Sequence, residues 1–405
     1  MKNHFKKTRL SELGEIARGV TYKSPDDLRP ADSPRTVQLL RATNIQDGAI
    51  TLDDVQVIDE ACAPDRQRLA PGDIAICIAN GSRALVGKAA LVDVADPEDY
   101  VVGAFCARFR PRQGESPDLI AAIFESQEYR SWIDRLLGTT TINNLKPSDI
   151  ANCPIMLPTE ERGRRRLGEL MRTSRNALRY TDALIDAKRE QKRGLMQQLL
   201  TGKVRFPGFT EPWKTVRLGD VAHEVSERNK GQLAEQDVCG VIKGAGLMPM
   251  RERVMSDDLT RYLVVSPKSF AYNPMRLNIG SIAFNSSHKR VLVSPDYVVF
   301  STRPTALSPN YLNHVRSSWI WEKFVQRAGS GSVRTRIYFD DLATLKLPLP
   351  EAAEQDRIDG ALRGMDSEIQ LLVQQREALA NQRRGLMERL LSGEIDIPSS
   401  DTSAA

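Results

Sequence analysis

Several signatures are missing from this chain of 405 residues, and each absence removes a class of function. The five cysteines (Cys62, Cys77, Cys106, Cys153 and Cys239) are dispersed, with no pair at zinc-ligand or redox-motif spacing. Neither a metal knuckle nor a disulfide framework is indicated, and a reducing cytoplasm suits them best. Only four histidines occur (His4, His223, His288 and His314), none at metal-ligand spacing. There is no Pro-Pro pair anywhere, so the Asn/Asp-Pro-Pro-aromatic loop of a DNA methyltransferase is absent. The stretch Gly81 to Gly87-Lys88 has five residues between its glycines where a phosphate-binding loop has four, and Ala89 stands where a Ser or Thr would hold magnesium. The only Glu-x-Lys, Glu190-Gln191-Lys192, falls on a helical seam and supplies no nuclease cluster. Asp73 and Asp220 start or flank regular elements and are expected to be caps, not general bases. No window approaches a membrane span, and Met1 to Lys7 leads into no apolar run, so a soluble, non-exported protein is expected. Lys plus Arg number 57 against 52 for Asp plus Glu, which is compatible with a nucleic-acid partner and does not identify one.

What the chain does contain is a duplication. Gln191-Lys192-Arg193-Gly194-Leu195-Met196-Gln197-Gln198-Leu199-Leu200-Thr201-Gly202 returns as Gln382-Arg383-Arg384-Gly385-Leu386-Met387-Glu388-Arg389-Leu390-Leu391-Ser392-Gly393, an offset of 191 residues. Upstream, a Gly-rich segment (Gly138 to Thr141; Gly329 to Ser332), an acidic step (Ser148-Asp149-Ile150; Asp340-Asp341-Leu342) and a Leu-Pro stop (Leu157-Pro158; Leu349-Pro350) recur in the same order. Both copies also open alike, with Arg9-Leu10-Ser11-Glu12-Leu13 and Arg217-Leu218-Gly219-Asp220-Val221. Two similar domains are therefore expected.

After each Leu-Pro stop an amphipathic pattern begins. Positions 167, 171, 174, 178, 181, 185, 188, 192, 195 and 199 step by four and three, carrying Leu167, Met171, Leu178, Ile185, Leu195 and Leu199 on the seam. The second copy carries Ile358, Leu362, Met365, Ile369, Leu372, Leu379, Leu386 and Leu390 in the same register. With Gly202 and Gly393 as C-terminal caps, each helix runs to about 40 residues, roughly 60 Å at 1.5 Å per residue. Residues 160–203 hold 12 basic and 6 acidic side chains, and residues 351–395 hold 6 basic and 9 acidic. Opposite net charge favours pairing the helices with each other. Connectivity favours antiparallel packing, because parallel helices would force the second domain to bridge a full helix length. A dumbbell with one head at each end of the coil is the expected arrangement.

The heads read as α+β. Strands are predicted at 73–79, 101–109, 281–284 and 297–300, and helices at 117–137 and 309–327, each with a tryptophan (Trp132, Trp319) expected in the core. Donor-rich loops lie between them. Candidate DNA contacts are Asn80, Ser82 and Arg83; Thr140, Asn143, Asn144 and Lys146; Arg276 and Asn278; Asn285, His288, Lys289 and Arg290; and Arg334 and Arg336. Arg can address guanine and Asn adenine, while Ser, Thr, Lys and backbone amides suit phosphates. The preferred clusters are His288-Lys289-Arg290 and Arg334-Thr335-Arg336.

In this order the features resemble the specificity subunit of type I restriction-modification enzymes. The resemblance covers nearly the whole chain. It rests on the tandem heads, on the repeated Gly-Leu-Met-x-x-Leu-Leu-Thr/Ser-Gly helix ends, on the Leu-Pro stops and on the stretch from Tyr272-Asn273-Pro274-Met275-Arg276 to Ser294-Pro295-Asp296-Tyr297. It implies an α+β fold of two tandem target-recognition domains with pseudo-twofold symmetry, separated by two long helices that form an antiparallel coiled coil. The expected division is 1–158 first recognition domain, 159–203 first helix, 204–350 second recognition domain, 351–395 second helix and 396–405 disordered tail. The resemblance further implies a bipartite double-stranded DNA target, the coil acting as a ruler for the spacer, and docking of two DNA adenine methyltransferase subunits and the ATP-dependent restriction subunits. S-adenosylmethionine, ATP and Mg2+ would sit on those partners, and this chain would bind no cofactor or metal and carry no catalytic residue. The first recognition domain lacks a clear Tyr-Asn-Pro-Met copy, so the halves should read different sequences. The alternatives are a coiled-coil scaffold that does not read DNA, disfavoured by the recurring donor-rich loops, and the specificity module of a methylation-only or phage-defence system.

Overall fold

The computed structural model describes residues 5–23, 26–30, 33–138, 142–250, 258–328, 336–391 and Glu394. The expected tail, the cap Gly393 and the site candidates Thr140 and Arg334 lie outside the described residues. The chain divides into two compact units, Met1–Asp182 with Gln374–Ala405, and Ala183–Val373. Both divisions fall inside stretches expected as long helices, after Asp182 and after Val373.

In the first unit Phe5–Arg9 pairs antiparallel with Pro154–Pro158, closing the head on itself. A four-stranded antiparallel sheet runs in the order Gly14–Arg18, Cys106–Pro111, Ile74–Cys77, Ala89–Leu91. A second sheet orders Gln56–Asp59, Thr36–Leu40 and Tyr100–Val102, the last pair parallel. Helices Pro117–Glu125 and Gln127–Gly138 supply Leu119, Ile123, Phe124, Tyr129 and Ile133 to a core shared with Ile74, Ile76 and Phe109 of the sheet. Leu167 and Met171 from the first long helix, and Met387 and Leu390 from the second, complete it.

The second unit repeats the plan. Lys214–Arg217 pairs with Lys346–Leu349, and the four-stranded sheet runs Ala222–Glu224, Val298–Thr302, Phe270–Tyr272, Ile282–Phe284. Helices Pro309–Val315 and Trp319–Ala328 cover it, and Met196, Leu199, Leu200, Ile358 and Leu362 of the long helices enter the core. The duplication read from short motifs is therefore a duplication of topology in the closing pair and the four-stranded sheet. The three-stranded sheet of the first unit is replaced in the second by two antiparallel pairs, Cys239–Ile242 with Gly246–Pro249 and Leu263–Val265 with Val291–Val293.

The long helices run Glu161–Leu199 (39 residues) and Ala352–Leu391 (40 residues). Gly202 takes φ +71 just past the first, in the left-handed region that a C-terminal cap needs. Within each unit the two helical segments are antiparallel. In the second, Lys188 pairs with Glu368 at 2.8 Å and Lys192 with Asp366 at 2.5 Å, one number rising as the other falls. In the first, Leu167 and Met171 share the core with Met387 and Leu390, while Asp182 pairs with Arg376 at 3.0 Å. Where the seam turns polar, Lys188, Lys192, Arg376 and Arg383 occupy seam positions and each faces a carboxylate. The Lys188 and Lys192 pairs follow the charge asymmetry of the helices, the Arg376–Asp182 pair runs against it, and Arg383 pairs with Glu125 of the head.

Four expectations are corrected. The predicted helix 117–137 is two helices, because Ser126 ends the first and caps the second, its Oγ accepting the Tyr129 N–H at 3.2 Å. The predicted helix 309–327 likewise breaks between Val315 and Trp319. The predicted strand 101–109 turns sharply at Gly103 and contributes to two sheets. Here Gly19 passes so close that a Cβ on it would lie 2.2 Å from the Gly103 carbonyl oxygen. Trp132 is partly buried and donates Nε1–H to the Asp149 carbonyl, but Trp319 is 47% exposed, and Trp321 is the core residue instead. Asp73 and Asp220 do serve structure: Asp73 accepts the Ala70 N–H and holds Arg110, and Asp220 accepts the Arg217 N–H at the head of a short helix. All five cysteines are free. Among the described residues no helix is long and apolar enough to cross a membrane, and no group of side chains could hold a metal.

A buried polar joint ties the second long helix to its head. Asp359, almost wholly buried, accepts from Asn310 at 3.2 Å and lies 3.1 Å from His314 Nε2. Burial holds the His314 imidazole below its ordinary 6.5, and the Asp359 hydrogen bond only partly offsets this. A histidine that charges less readily folded than unfolded favours the folded state above its unfolded pKa. That contribution fades as the pH falls below about 6.5. Urea titrations between pH 7.5 and 5.5 should show the second unit weakening towards acid, with a shallower slope in His314→Gln; equal slopes would assign the loss elsewhere.

Candidate nucleic-acid interface

The two heads are aligned by their backbone hydrogen bonds. Leu145 N–H donates to Ile78 O at 2.8 Å, and Ile337 N–H donates to Pro274 O at 3.0 Å. Both bonds tie the loop after the third sheet strand to the segment before a short capped helix, Pro147–Ala151 or Phe339–Ala343. The turn entering the second sheet strand is also kept: Cys106 N–H donates to Gly103 O at 2.8 Å, and Tyr297 N–H to Ser294 O at 3.0 Å. These registers make Asn80 the counterpart of Arg276, Phe105 of Asp296 and Asn144 of Arg336. In each head the three positions stand on loops at the same end of the central sheet.

In the first head the loops line a concavity of about 1010 Å3, bounded by Tyr22, Arg41, Gln56, Asn80, Phe105, Ile142, Asn143 and Asn144 among others. No carboxylate is among the described residues lining it. Phe105 is 68% exposed and Ile142 71% exposed. Phe105 is nonetheless held firmly: its carbonyl accepts both Ile78 N–H (2.9 Å) and Ala79 N–H (3.1 Å), and Arg18 Nε donates to the neighbouring Ala104 carbonyl. Asn143 donates to Gly81 O at 3.1 Å, and Asn80 Oδ1 accepts the Ser82 N–H at 2.9 Å, so these two brace the loop. The Asn80 amide nitrogen and the Asn144 side chain make no hydrogen bond among the described residues. Arg83 reaches back to the Asp134 carbonyl at 2.6 Å. Lys146 is exposed, and its N–H is capped by Asp149.

In the second head Tyr272 is buried and Asn273 Oδ1 accepts the Met275 N–H, so the Tyr-Asn-Pro-Met stretch builds the turn that presents Arg276. Arg276 and Asn278 are exposed, beside the half-exposed Met275 and Ile279. Arg336 is exposed and lies 3.3 Å from the hydroxyl of Tyr338. The 285–290 loop departs from expectation. Asn285 is 3% exposed, and its Nδ2 donates to Val265 O and Lys289 O while Oδ1 accepts from Ser287. It shapes the loop and has no amide proton left for a base. His288 and Lys289 remain exposed. Arg290 is tied to Glu227 and Gln232. The cluster His288-Lys289-Arg290 is thus a loop with two free tips and one anchored residue.

Sequence reasoning missed Phe105, Ile142, Tyr22, Arg41, Gln56 and Asp296, because it sought donors and treated apolar residues as core. The signal for Phe105 was Gly103-Ala104 just before it, a break in a strand pattern that could have marked a turn tip.

No protein-family model matches the chain. A type I restriction enzyme specificity subunit of Salmonella potsdam, StySPI, is 34% identical over 155 residues, which are 38% of this chain and 33% of that protein. The EcoKI specificity subunit of Escherichia coli K12 is 33% identical over 148 residues, 36% of this chain and 31% of that protein. The chain thus matches about a third of the length of each. A putative type I specificity subunit of Methanocaldococcus jannaschii, MjaX, aligns over 98% of this chain and 97% of its own length at 22% identity. Among solved structures, the type I restriction-modification S subunit of M. genitalium has a TM-score of 0.54 at 11% identity and covers 96% of both chains. A chain solved in work on assembly and conformational transition of a type I system has a TM-score of 0.53 at 18% identity, covering 96% of this chain and 98% of that one. The chain is thus similar in sequence, over part of its length, to specificity subunits of type I restriction-modification enzymes, and shares their fold over nearly all of it.

Proposed function

We propose that this chain is the sequence-reading subunit of a type I restriction-modification complex, each head contacting one half of a bipartite DNA target and the chemistry belonging to partner subunits. The observation that carries the reading is the pairing of Asn80, Phe105 and Asn144 with Arg276, Asp296 and Arg336: one scaffold, repeated, with different side chains at the same loop tips, all exposed except the half-buried Asn80. A duplicated frame with altered tips suits reading two different half-sites. In this reading Lys146, His288 and Lys289, exposed near the loops, contact phosphates. Two adenine methyltransferase subunits are the proposed direct partners, with S-adenosylmethionine on them and ATP and Mg2+ on restriction subunits. The repeat also places apolar surface twice on the long helices: Tyr180 and Leu371, 191 positions apart, are both 65% exposed. Duplicate apolar positions on a duplicated helix suit two copies of one partner.

The test is sequence-resolved mapping of adenine methylation in the source cells with and without the gene. Loss of methylation at one two-part motif with a fixed gap is expected. Unchanged methylation in cells that express the chain and its methyltransferase would overturn the reading.

A further inference from the structure

We propose that the two heads read opposite classes of base pair, the first head A·T and the second G·C, at the positions their three paired loop tips contact. The inference rests on the DNA-reading function proposed above and goes beyond it by assigning the chemistry of each half-site. The major-groove code allows the assignment. Asn pairs bidentately with adenine N6 and N7, and the only apolar group on a base edge there is the thymine methyl. Arg pairs bidentately with guanine O6 and N7, and a carboxylate accepts from cytosine N4. In the first head the tips are Asn80, Asn144 and Phe105, with no carboxylate among the described residues of the surrounding concavity. In the second the counterparts are Arg276, Arg336 and Asp296, all exposed.

The substitutions are coordinated. Between the heads each Asn becomes Arg and the apolar tip becomes an acid, while two backbone bonds beside the tips are kept: Leu145 to Ile78 and Ile337 to Pro274, Cys106 to Gly103 and Tyr297 to Ser294. The Ile78 and Ala79 bonds to the Phe105 carbonyl are the first head's own, since Pro274 has no N–H and the Met275 N–H goes to Asn273. A tip serving only the fold would not exchange Phe for Asp at the same place in a retained turn. Phe105 is also costly to leave in water unless it meets an apolar surface, since burying such a side chain is worth about 1.5 to 3 kcal/mol. Its two backbone hydrogen bonds keep it from folding away.

The test uses the assembled methylating complex and duplexes bearing its mapped target. Deoxyuridine replaces each thymine of the first head's half-site in turn, removing one methyl, and 7-deazaguanine replaces each guanine of the second's, removing N7. At one thymine, uracil should weaken binding about fourfold, the value of one buried methyl. Phe105→Ala should bind the thymine duplex more weakly and lose nothing further on that exchange. At one guanine or more, the deaza base should weaken wild type while Arg276→Ala or Arg336→Ala is insensitive. All three side chains are exposed, so unchanged melting curves will exclude misfolding as the cause. The proposal is overturned if the first half-site tolerates every uracil, if the uracil penalty persists in full in Phe105→Ala, or if the guanine exchanges act alike on wild type and both arginine variants. Each of these outcomes leaves bipartite methylation intact, and so is distinguishable from failure of the DNA-reading function itself.

Discussion

Replacing Gln355 with alanine should lower the stability of the second unit by about 3 kcal/mol, a larger effect than any single surface change should have. Gln355 is 1% exposed in the first turn of the second long helix. Its Oε1 accepts the Ser308 N–H at 2.7 Å, and its Nε2 donates to Ala306 O at 3.0 Å and Pro350 O at 2.9 Å. Removing it strands three backbone groups, and an unsatisfied buried polar group costs about 1 to 3 kcal/mol. For a unit of this size the melting temperature should fall by about 6 to 12 °C. Gln197→Ala, an exposed change on the first long helix, is the control and should stay within about 0.5 kcal/mol of wild type. Calorimetry with hydrogen exchange to locate the shifted transition makes the measurement. Equal stability of the two variants would mean that the joint of helix and head is held elsewhere.

Exchanging residues 1–158 for the first head of a relative should change one half of the methylated motif completely and leave the other half and the gap as they were. The first head closes on itself through the Phe5–Arg9 and Pro154–Pro158 pair, so the graft ends where the strand does. The graft must also fit what stays behind. Leu119 and Ala122 of the head pack beside Leu167, Met171, Met387 and Leu390, around a space of about 10 Å3. A donor with bulkier residues at those two positions would overpack this contact, at a typical cost of about 1 to 3 kcal/mol. Mapping methylation in cells carrying the hybrid decides the matter. A motif altered in both halves would show that the heads do not read independently.

The large periodic elements and the duplication were legible in the sequence, because they depend on spacing that a chain states directly. The helices end within a few residues of the expected bounds, and their antiparallel pairing follows from connectivity. Short-range breaks were not legible. Ser126 interrupts an apolar pattern that continues on both sides of it, and one capping hydroxyl leaves no trace in a periodicity. Trp319 and Trp321 are two residues apart on one helix, so either could face the core, and only packing chooses. The site was half legible. Loops rich in donors were located, but Asn285 shows that a polar side chain can be consumed by its own loop, and Phe105 shows that an exposed tip can be aromatic. Both depend on backbone hydrogen bonds between segments far apart in sequence.

The division of the chain into units has a consequence for the order in which it folds during synthesis. The second unit, Ala183–Val373, is one continuous stretch, and every residue it needs has been made when residue 373 is added. The first unit is split: its core waits for Met387 and Leu390, although its own strands and short helices were finished more than two hundred residues earlier. At roughly 5 to 20 residues per second the ribosome spends about 10 to 40 seconds between the two parts. Throughout that interval Leu119, Leu167 and Met171 lack their final cover. The head made first is therefore the last to be completed, and its apolar face stays unfinished until the chain's final helix is made.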